Sequence, residues 1–243
     1  MALSMFLYSL CDALGKYLTH VYEPAQIIFF RSSVALLFVV WISFKKRFPT
    51  NKHDIRLNII YTIFAAFSLF LSMYSLKYLP LSTSSFMSYT SPIFITVLSY
   101  AYLKEKVSGF IILPIIIGFS GALIMSYPFQ NINLNQGFMF ASLASILYAA
   151  AAVIAKRLAH LDNFILYGSY TFVCFVLSAI FTYKNISIAI NDIPLFILLA
   201  TIHFLAFQCF IMACRREDLV RLSPLEYSTV VWAITFGYAL WHY

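Results

Sequence analysis

Four ionisable side chains stand inside apolar stretches of this sequence: Asp12, Lys16, Arg31 and Glu226. A charge placed in hydrocarbon costs about 3 kcal/mol or more, so such residues usually face a cavity or a partner. Asp12 and Lys16 are four residues apart and can pair along one helix face, or Lys16 can extend to the outer interface. Arg31 can also extend outward, or it can turn inward and offer its planar guanidinium to a carboxylate.

Glu226 is the strongest candidate for chemistry in the sequence. It lies one turn into an apolar run, beside Tyr227 and beside Pro224, for which we expect a structural or gating role. A carboxylate that binds and releases a proton suits a proton-coupled carrier, and its charge suits a cationic substrate. Alternatively, Glu226 pairs with an arginine of the preceding basic segment, 215–221.

The stretch YTSP, residues 89–92, interrupts another apolar run. Pro92 removes one backbone hydrogen bond, and in a membrane the freed carbonyl must find a partner in protein or cavity water. Helical spacing places Ser85, Tyr89, Pro92 and Thr96 on one face. This predicts a kinked helix whose face looks into a bundle, with Tyr89 able to contact a substrate and Pro92 acting as a hinge. The alternative is that the proline only shapes packing and the hydroxyls bond back to carbonyls.

Weaker candidates for substrate binding are polar or aromatic residues within other apolar runs: Tyr148, His203, Gln208 and Trp232. An aromatic ring in a cavity can stack or hold a cation, although such residues also serve as ordinary helix contacts. The sequence contains no phosphate-binding loop, HExxH, GxSxG or paired-cysteine motif. We therefore expect no cofactor, no metal and no ATP hydrolysis.

The composition indicates that these residues are positioned by an all-α bundle in a lipid bilayer. Of 243 residues, 62% are hydrophobic and 10% are charged, against about 25% charged in soluble domains. A span needs about 20 apolar residues, and short loops make successive helices antiparallel. The predicted spans are nine: 2–19, 25–44, 57–78, 81–103, 108–128, 137–156, 164–183, 193–214 and 222–241.

The basic residues predict the orientation of the chain. Twelve of the sixteen Lys and Arg residues fall in four loops on one side of the predicted bundle: 45–56, 104–106, 156–157 and 215–221. The positive-inside rule places that side in the cytoplasm, with the N-terminus inside and the C-terminus outside the cytoplasmic membrane. The net charge of +7 is thus explained by topology, and we expect no nucleic-acid partner. The first apolar segment lacks signal-peptide features, so we expect it to be retained.

Two short matches suggest an internal repeat. Residues 12–20 align with 152–160, which superposes Lys16 on Lys156, and residues 85–92 align with 223–230, which superposes Tyr89 on Tyr227. The two offsets agree to within two residues. Five helices per copy would invert the second copy, giving a first repeat over 1–128 and a truncated four-helix repeat over 137–243. Chance agreement between apolar runs is the alternative.

The chain resembles EamA-type transporters of the drug/metabolite transporter superfamily. The resemblance rests on four segments: 29–31, 75–108, 118–128 and 214–238. It implies ten helices in two inverted halves around a central cavity, and transport of small metabolites without ATP hydrolysis. Among the branches, the chain is most similar to S-adenosylmethionine uptake carriers. The resemblance also gives Glu105, at the end of the fourth span, a structural role in a loop signature.

The tenth helix of that family has no counterpart here, since the repeat offset matches Glu105 to Tyr243, the last residue. We therefore expect a bundle that works with nine helices, a partner helix or second copy that completes it, or a truncated remnant. The predicted function is a secondary transporter working by alternating access. Asp12, Arg31 and Glu226 favour a zwitterionic metabolite such as an amino acid or S-adenosylmethionine. The alternatives are a non-transporting bundle or interaction subunit and, last, a membrane enzyme, for which acidic and histidine residues are too scattered.

Overall fold

The computed structural model describes residues 1–43, 51–79, 86–125, 136–183 and 187–241, and within these ranges it contains helices and no strand. The long helices are α1 (Ala2–Leu18), α2 (Pro24–Ser43), α3 (Lys52–Tyr78), α4 (Ser91–Leu98), α5 (Gly109–Met125), α6 (Gln136–Arg157), α7 (Asn163–Thr182), α8 (Ile193–Arg216) and α9 (Ser228–Trp241). A π-helical turn, Ser99–Leu103, continues α4. A helical turn, Leu219–Leu222, and a 3₁₀ segment, Ser223–Tyr227, connect α8 to α9.

Apolar helices confirm the prediction of an all-α membrane protein. Four of the helices in the described ranges are long and apolar enough to cross a bilayer: Lys52–Tyr78, Gln136–Arg157, Asn163–Thr182 and Ile190–Arg216. Shorter apolar helices cover Pro24–Val40 and Gly109–Gly121. Large apolar side chains point outward, as in Phe110, which is 91% exposed. Such a surface suits lipid, and the count of nine spans stays a prediction.

Two lysine side chains donate hydrogen bonds to the carbonyl groups at the ends of two helices. Lys16 Nζ donates to the Leu76 carbonyl in the last turn of α3 at 2.9 Å. Lys156 Nζ donates to the Cys214 and Glu217 carbonyls at the end of α8, at 2.5 and 2.6 Å. The last carbonyls of a helix lack partners within the helix, and a cation there is favourable. The predicted pairing of Lys16 with Asp12 is therefore wrong, because the ammonium group binds α3 instead.

The helix pairings recur between the two parts of the chain. Each of the following contacts has a counterpart when α1–α4 are exchanged for α6–α9: α3 with α6 and α8 with α1, α4 with α6 and α9 with α1, α3 with α7 and α8 with α2. Helices α2 and α7 pack on each other and are their own counterpart.

Serine hydroxyls join helices at two of these matched pairings. Ser4 Oγ of α1 donates to the Ala206 carbonyl of α8, and Ser68 Oγ of α3 donates to the Ala144 carbonyl of α6, each at 2.8 Å. Small residues at a crossing let two helix backbones approach closely. Both crossings can therefore be tight without a large side chain between the helices.

The helical structure is interrupted just before α4. Residues 86–88 are helical, Tyr89 and Thr90 form a turn, and α4 begins at Ser91 with Pro92 in its first turn. Proline is tolerated there because the first N–H groups of a helix have no intrahelical acceptor. The prediction that Pro92 kinks a helix interior is thus wrong, since the break precedes it. Pro224 likewise lies in the first turn of the 3₁₀ segment.

The hydroxyl groups of this region make both kinds of predicted contact. Thr96 Oγ1 donates back to the Pro92 carbonyl at 2.8 Å and also lies 2.9 Å from Ser223 Oγ across the bundle. Ser85, the first member of the predicted face, lies outside the described residues, as does Tyr243.

Candidate functional site

A cavity of about 270 Å³ lies among the helices and is the candidate substrate site. Its lining includes seven of the residues singled out from the sequence: Asp12, Arg31, Tyr89, Pro92, Tyr148, His203 and Glu226. Both parts of the chain contribute these residues, so the cavity exists only when the helix pairings are formed.

Arg31 turns inward from α2. It is 5% exposed, and its Nη2 donates to the Tyr170 hydroxyl of α7 at 3.1 Å. The Tyr170 ring stacks on His203, with centroids 5.9 Å apart and planes at 18°. His203 Nδ1 in turn lies 3.2 Å from the Tyr167 hydroxyl. A guanidinium has five donors, and this aromatic support occupies one, which leaves the fork free to bind a carboxylate in the cavity.

Asp12 provides a negative charge on the same wall. Its side chain is exposed and lines the cavity, and it lies within electrostatic range of Arg31. Among the described residues it forms no hydrogen bond and no ion pair, because Lys16 points to α3. A carboxylate and a guanidinium that line one cavity present two opposite charges to a bound molecule.

Glu226 lies in the 3₁₀ segment on another wall. It is 6% exposed, and its two carboxylate oxygens accept from Ser91 Oγ at 3.2 Å and from the Tyr148 hydroxyl at 3.4 Å. Two of the three arginines of the basic segment are engaged elsewhere. Arg215 donates to carbonyls of the loop after α6, and Arg221 pairs with Glu217 at 3.4 Å. Glu226 is thus a buried carboxylate held by neutral hydroxyl groups.

Three candidate residues have contacts away from the cavity lining. Gln208 Oε1 accepts from Asn163 Nδ2 at 2.7 Å. It is five positions from His203 on α8, a rotation of about 140° around the helix, so the two cannot share a face. Trp232 packs edge-on against Phe6 at 4.9 Å. The Glu105 carboxylate accepts from the Leu219 and Val220 N–H groups at 3.1 and 2.9 Å, which caps the helical turn before the 3₁₀ segment.

Sequence reasoning missed three tyrosines of the cavity, Tyr8, Tyr61 and Tyr170. A signal for Tyr8 and for Tyr170 exists in the proposed repeat. Tyr8 precedes Lys16 by eight residues, as Tyr148 precedes Lys156. Similarly, Arg31 is the eighth residue of α2 and Tyr170 is the eighth residue of α7. Extending the short alignment in both directions would have predicted both residues.

Polar contacts also join the helices outside the apolar runs. In the loop before α2, the Tyr22 hydroxyl donates to Asp192 Oδ2 at 2.6 Å and accepts from the Ala189 N–H at 3.1 Å. The hydrogen bond to the Asp192 carboxylate raises the pKa of Tyr22, so the phenol keeps its proton. At the other end, His160 Nε2 lies 3.3 Å from Asp54 Oδ2. These contacts hold α1 to α8 and α3 to α6 at their ends.

Comparisons with known proteins place these features in context. The model of the EamA-like transporter family matches residues 1–127. The pseudopaline exporter CntI of Pseudomonas aeruginosa is 24% identical over 155 residues, which cover 64% of this chain and 54% of the exporter. The S-adenosylmethionine uptake transporter of Rickettsia prowazekii is 28% identical over 159 residues, 64% of this chain and 53% of the transporter. The chain thus spans about half the length of the curated relatives it matches.

A solved crystal structure shares the fold. It superposes with a TM-score of 0.76 over 98% of this chain and 87% of its own, at 15% sequence identity.

Proposed function

Since the chain belongs to the EamA-like transporter family, we propose that it is a secondary transporter that moves a small metabolite across the cytoplasmic membrane by alternating access. The observation that carries this proposal is the cavity itself, which is enclosed by helices of both parts of the chain and lined by Arg31, Asp12 and Glu226. Intramembrane charges of this kind mark substrate or ion pathways.

The substrate that suits this site is a zwitterionic metabolite, such as an amino acid or S-adenosylmethionine. Arg31 would bind the carboxylate through its free donors, and Asp12 on the same wall would bind the ammonium group. The rings of Tyr8, Tyr148 and Tyr170 add faces on which a cation or an aromatic group can stack. S-adenosylmethionine, named for the Rickettsia relatives, carries both the ammonium and the carboxylate.

The mechanism rests on two inverted repeats that rock around the cavity. Three observations support this symmetry: the matched helix pairings, the lysine at the end of α1 and of α6 that binds the third helix of its own repeat, and the two serine bonds at equivalent crossings. The positive-inside rule, applied to the basic loops, supports an orientation with the N-terminus inside and the C-terminus outside.

The test is uptake of labelled S-adenosylmethionine by the purified chain in proteoliposomes. We expect saturable uptake that unlabelled zwitterionic amino acids compete for and that Arg31→Ala abolishes. Arg221→Ala is the matched control, because Arg221 is exposed and, in the part of the chain that the structure describes, pairs with Glu217. A folded, monodisperse chain that takes up neither S-adenosylmethionine nor amino acids would instead favour a non-transporting bundle.

A further inference from the structure

The surroundings of Glu226 differ from those of the other charged residues in the cavity. Among the described residues, its hydrogen bonds come from Ser91 and Tyr148. A buried carboxylate that has no cation as a partner is costly to keep charged. Reversible binding of a proton would neutralise this charge.

Among the described residues, no cation forms a hydrogen bond or an ion pair with Glu226, whose partners are Ser91 and Tyr148. The titratable groups around it are Tyr148 of α6, Cys214 of α8, Tyr227 of its own segment, Tyr8 and Asp12 of α1 across the cavity, Tyr89 before α4 and the exposed Arg221. Lys156, Glu105 and the N-terminal ammonium group act on Cys214. Helices α4 and α5 contribute no titratable side chain. Arg221 is bound to Glu217, which leaves hydroxyl groups as the partners of Glu226.

Glu226 is held by a different set of residues from the charge pair that suits a zwitterion. Arg31 donates to Tyr170 and acts electrostatically on Asp12, whereas Glu226 accepts from Ser91 and Tyr148. The two charges of a zwitterion are therefore already matched by Arg31 and Asp12. Glu226 is a second carboxylate, which an amino acid with a single ammonium group does not need.

The position of Glu226 couples it to the movement of the two repeats. It lies on an interrupted segment of the second repeat and accepts from Ser91, the first residue of α4 in the first repeat. Next to it, Thr96 and Ser223 make another hydroxyl contact between the same segments. Interrupted helices of this kind bind substrates and coupling ions in transporters.

We propose that Glu226 is the proton-coupling site of the carrier and that Asp12 and Arg31 form a separate substrate site. One proton from cavity water binds a Glu226 carboxylate oxygen on one side of the membrane and is released to water on the other. While Glu226 is charged it accepts from Ser91, and once protonated it donates to Ser91 Oγ. The proton thus reverses a hydrogen bond between the repeats. This proposal rests on the transport function proposed above.

The first experiment needs no substrate, so its outcome is independent of the proposed function. Infrared spectra of the purified protein are recorded through a pH titration, and the C=O stretching band of a protonated carboxylic acid is followed. We expect a band that Glu226→Gln removes. Glu226→Asp keeps a carboxyl group there and should retain it, as should the control Glu217→Gln, since Glu217 is exposed. A band that survives Glu226→Gln, or disappears only in Asp12→Asn, would overturn the assignment.

The second experiment uses proteoliposomes and labelled S-adenosylmethionine. With the unaltered chain, an imposed pH gradient should drive accumulation, and reversing the gradient should reverse it. Glu226→Gln should lose this accumulation while still exchanging internal for external substrate, whereas Asp12→Asn should weaken binding in both assays. Gradient-driven accumulation by Glu226→Gln would contradict the proposal. Absence of any uptake by the unaltered chain would contradict the transport function and leave the infrared result to decide on Glu226.

Discussion

The side chain of Arg31 points into the bundle, where it donates to the hydroxyl group of a neutral aromatic residue. Its only hydrogen bond among the described residues goes to Tyr170, which is held by stacking on His203. A neutral partner fixes the guanidinium without cancelling its charge. Tyr170 is therefore a positioning residue for the proposed carboxylate site.

Replacing Tyr170 by Phe tests this role. The ring and its stacking on His203 remain, but the hydroxyl that orients Arg31 is lost. A hydrogen bond to a charged group contributes about 1.5–3 kcal/mol, so we expect the KM for S-adenosylmethionine exchange to rise roughly tenfold or more with a smaller change in kcat. Tyr183→Phe, on the exposed end of α7, is the control. An unchanged KM would show that Arg31 does not need Tyr170.

At this scale the sequence predicts which residues are exceptional but not always what they contact. Arg31 and Glu226 stand out because charges in apolar runs are rare, and both line the cavity. Gln208 and Lys16 also stand out, as polar residues in apolar runs, yet they bind Asn163 and α3. The difference depends on the rotation of each helix about its axis, which packing sets and which a single apolar run does not encode.

At the scale of elements, the 3₁₀ segment, Ser223–Tyr227, packs closely against a neighbouring helix. Helix α5 lies against this turn, and the ring of Tyr227 covers Gly118 so closely that an added methyl group would overlap it. Gly121, one turn further along α5, has open space around its Cα. Two glycines in one helix thus have different reasons to lack a side chain.

Alanine substitutions should separate these two glycines. Gly118→Ala must displace Tyr227, next to Glu226, and overpacking of this kind costs roughly 1–3 kcal/mol. Gly121→Ala meets nothing and should be neutral or stabilise the helix by up to about 1 kcal/mol. Thermal unfolding in detergent measures both. Equal stability of the two variants would show that α5 does not press on the turn.

The end of the π-helical turn provides a second test. Lys104 has φ 57°, in the left-handed region, which costs a residue other than glycine roughly 1–2 kcal/mol. This conformation precedes Glu105, which caps the turn Leu219–Leu222.

We therefore expect Lys104→Gly to raise the thermal unfolding temperature and Lys104→Val to lower it, because a β-branched residue tolerates this conformation least. Glu105→Ala should destabilise the protein by about 1 kcal/mol through loss of the cap. Loss of stability in Lys104→Gly would mean that the lysine side chain itself has a structural role.

At the scale of the whole molecule, the proposed inverted symmetry relates the contacts at one end of the bundle to those at the other end. Lys16 binds the end of α3 on the predicted outer side, and Lys156 binds the end of α8 on the predicted inner side. Under the proposed alternating access, each contact would hold its end closed. The short sequence match pairs these two lysines, but their partners lie about 60 residues further along the chain, at the ends of other helices.

Removing one lysine at a time should shift the accessible side of the cavity. Cys11 lines the cavity, so a chain with Cys174, Cys209 and Cys214 replaced by Ser reports access through labelling of Cys11. Losing a charged hydrogen bond of about 1.5–3 kcal/mol should change labelling by an external, impermeant thiol reagent roughly tenfold. We expect Lys16→Met to increase it and Lys156→Met to decrease it. A change in the same direction for both would contradict the inverted repeat.

The positions of helices α2 and α7 determine which part of the cavity would move least during the proposed rocking of the two repeats. They are the pair that the proposed two-fold axis exchanges, and Arg31 and Tyr170 occupy the same position in each. When two bodies tilt in opposite directions, points far from the axis travel furthest and points on it stay in place. A carboxylate held by Arg31 would then stay in place near the axis, while the two mouths of the cavity open and close around it.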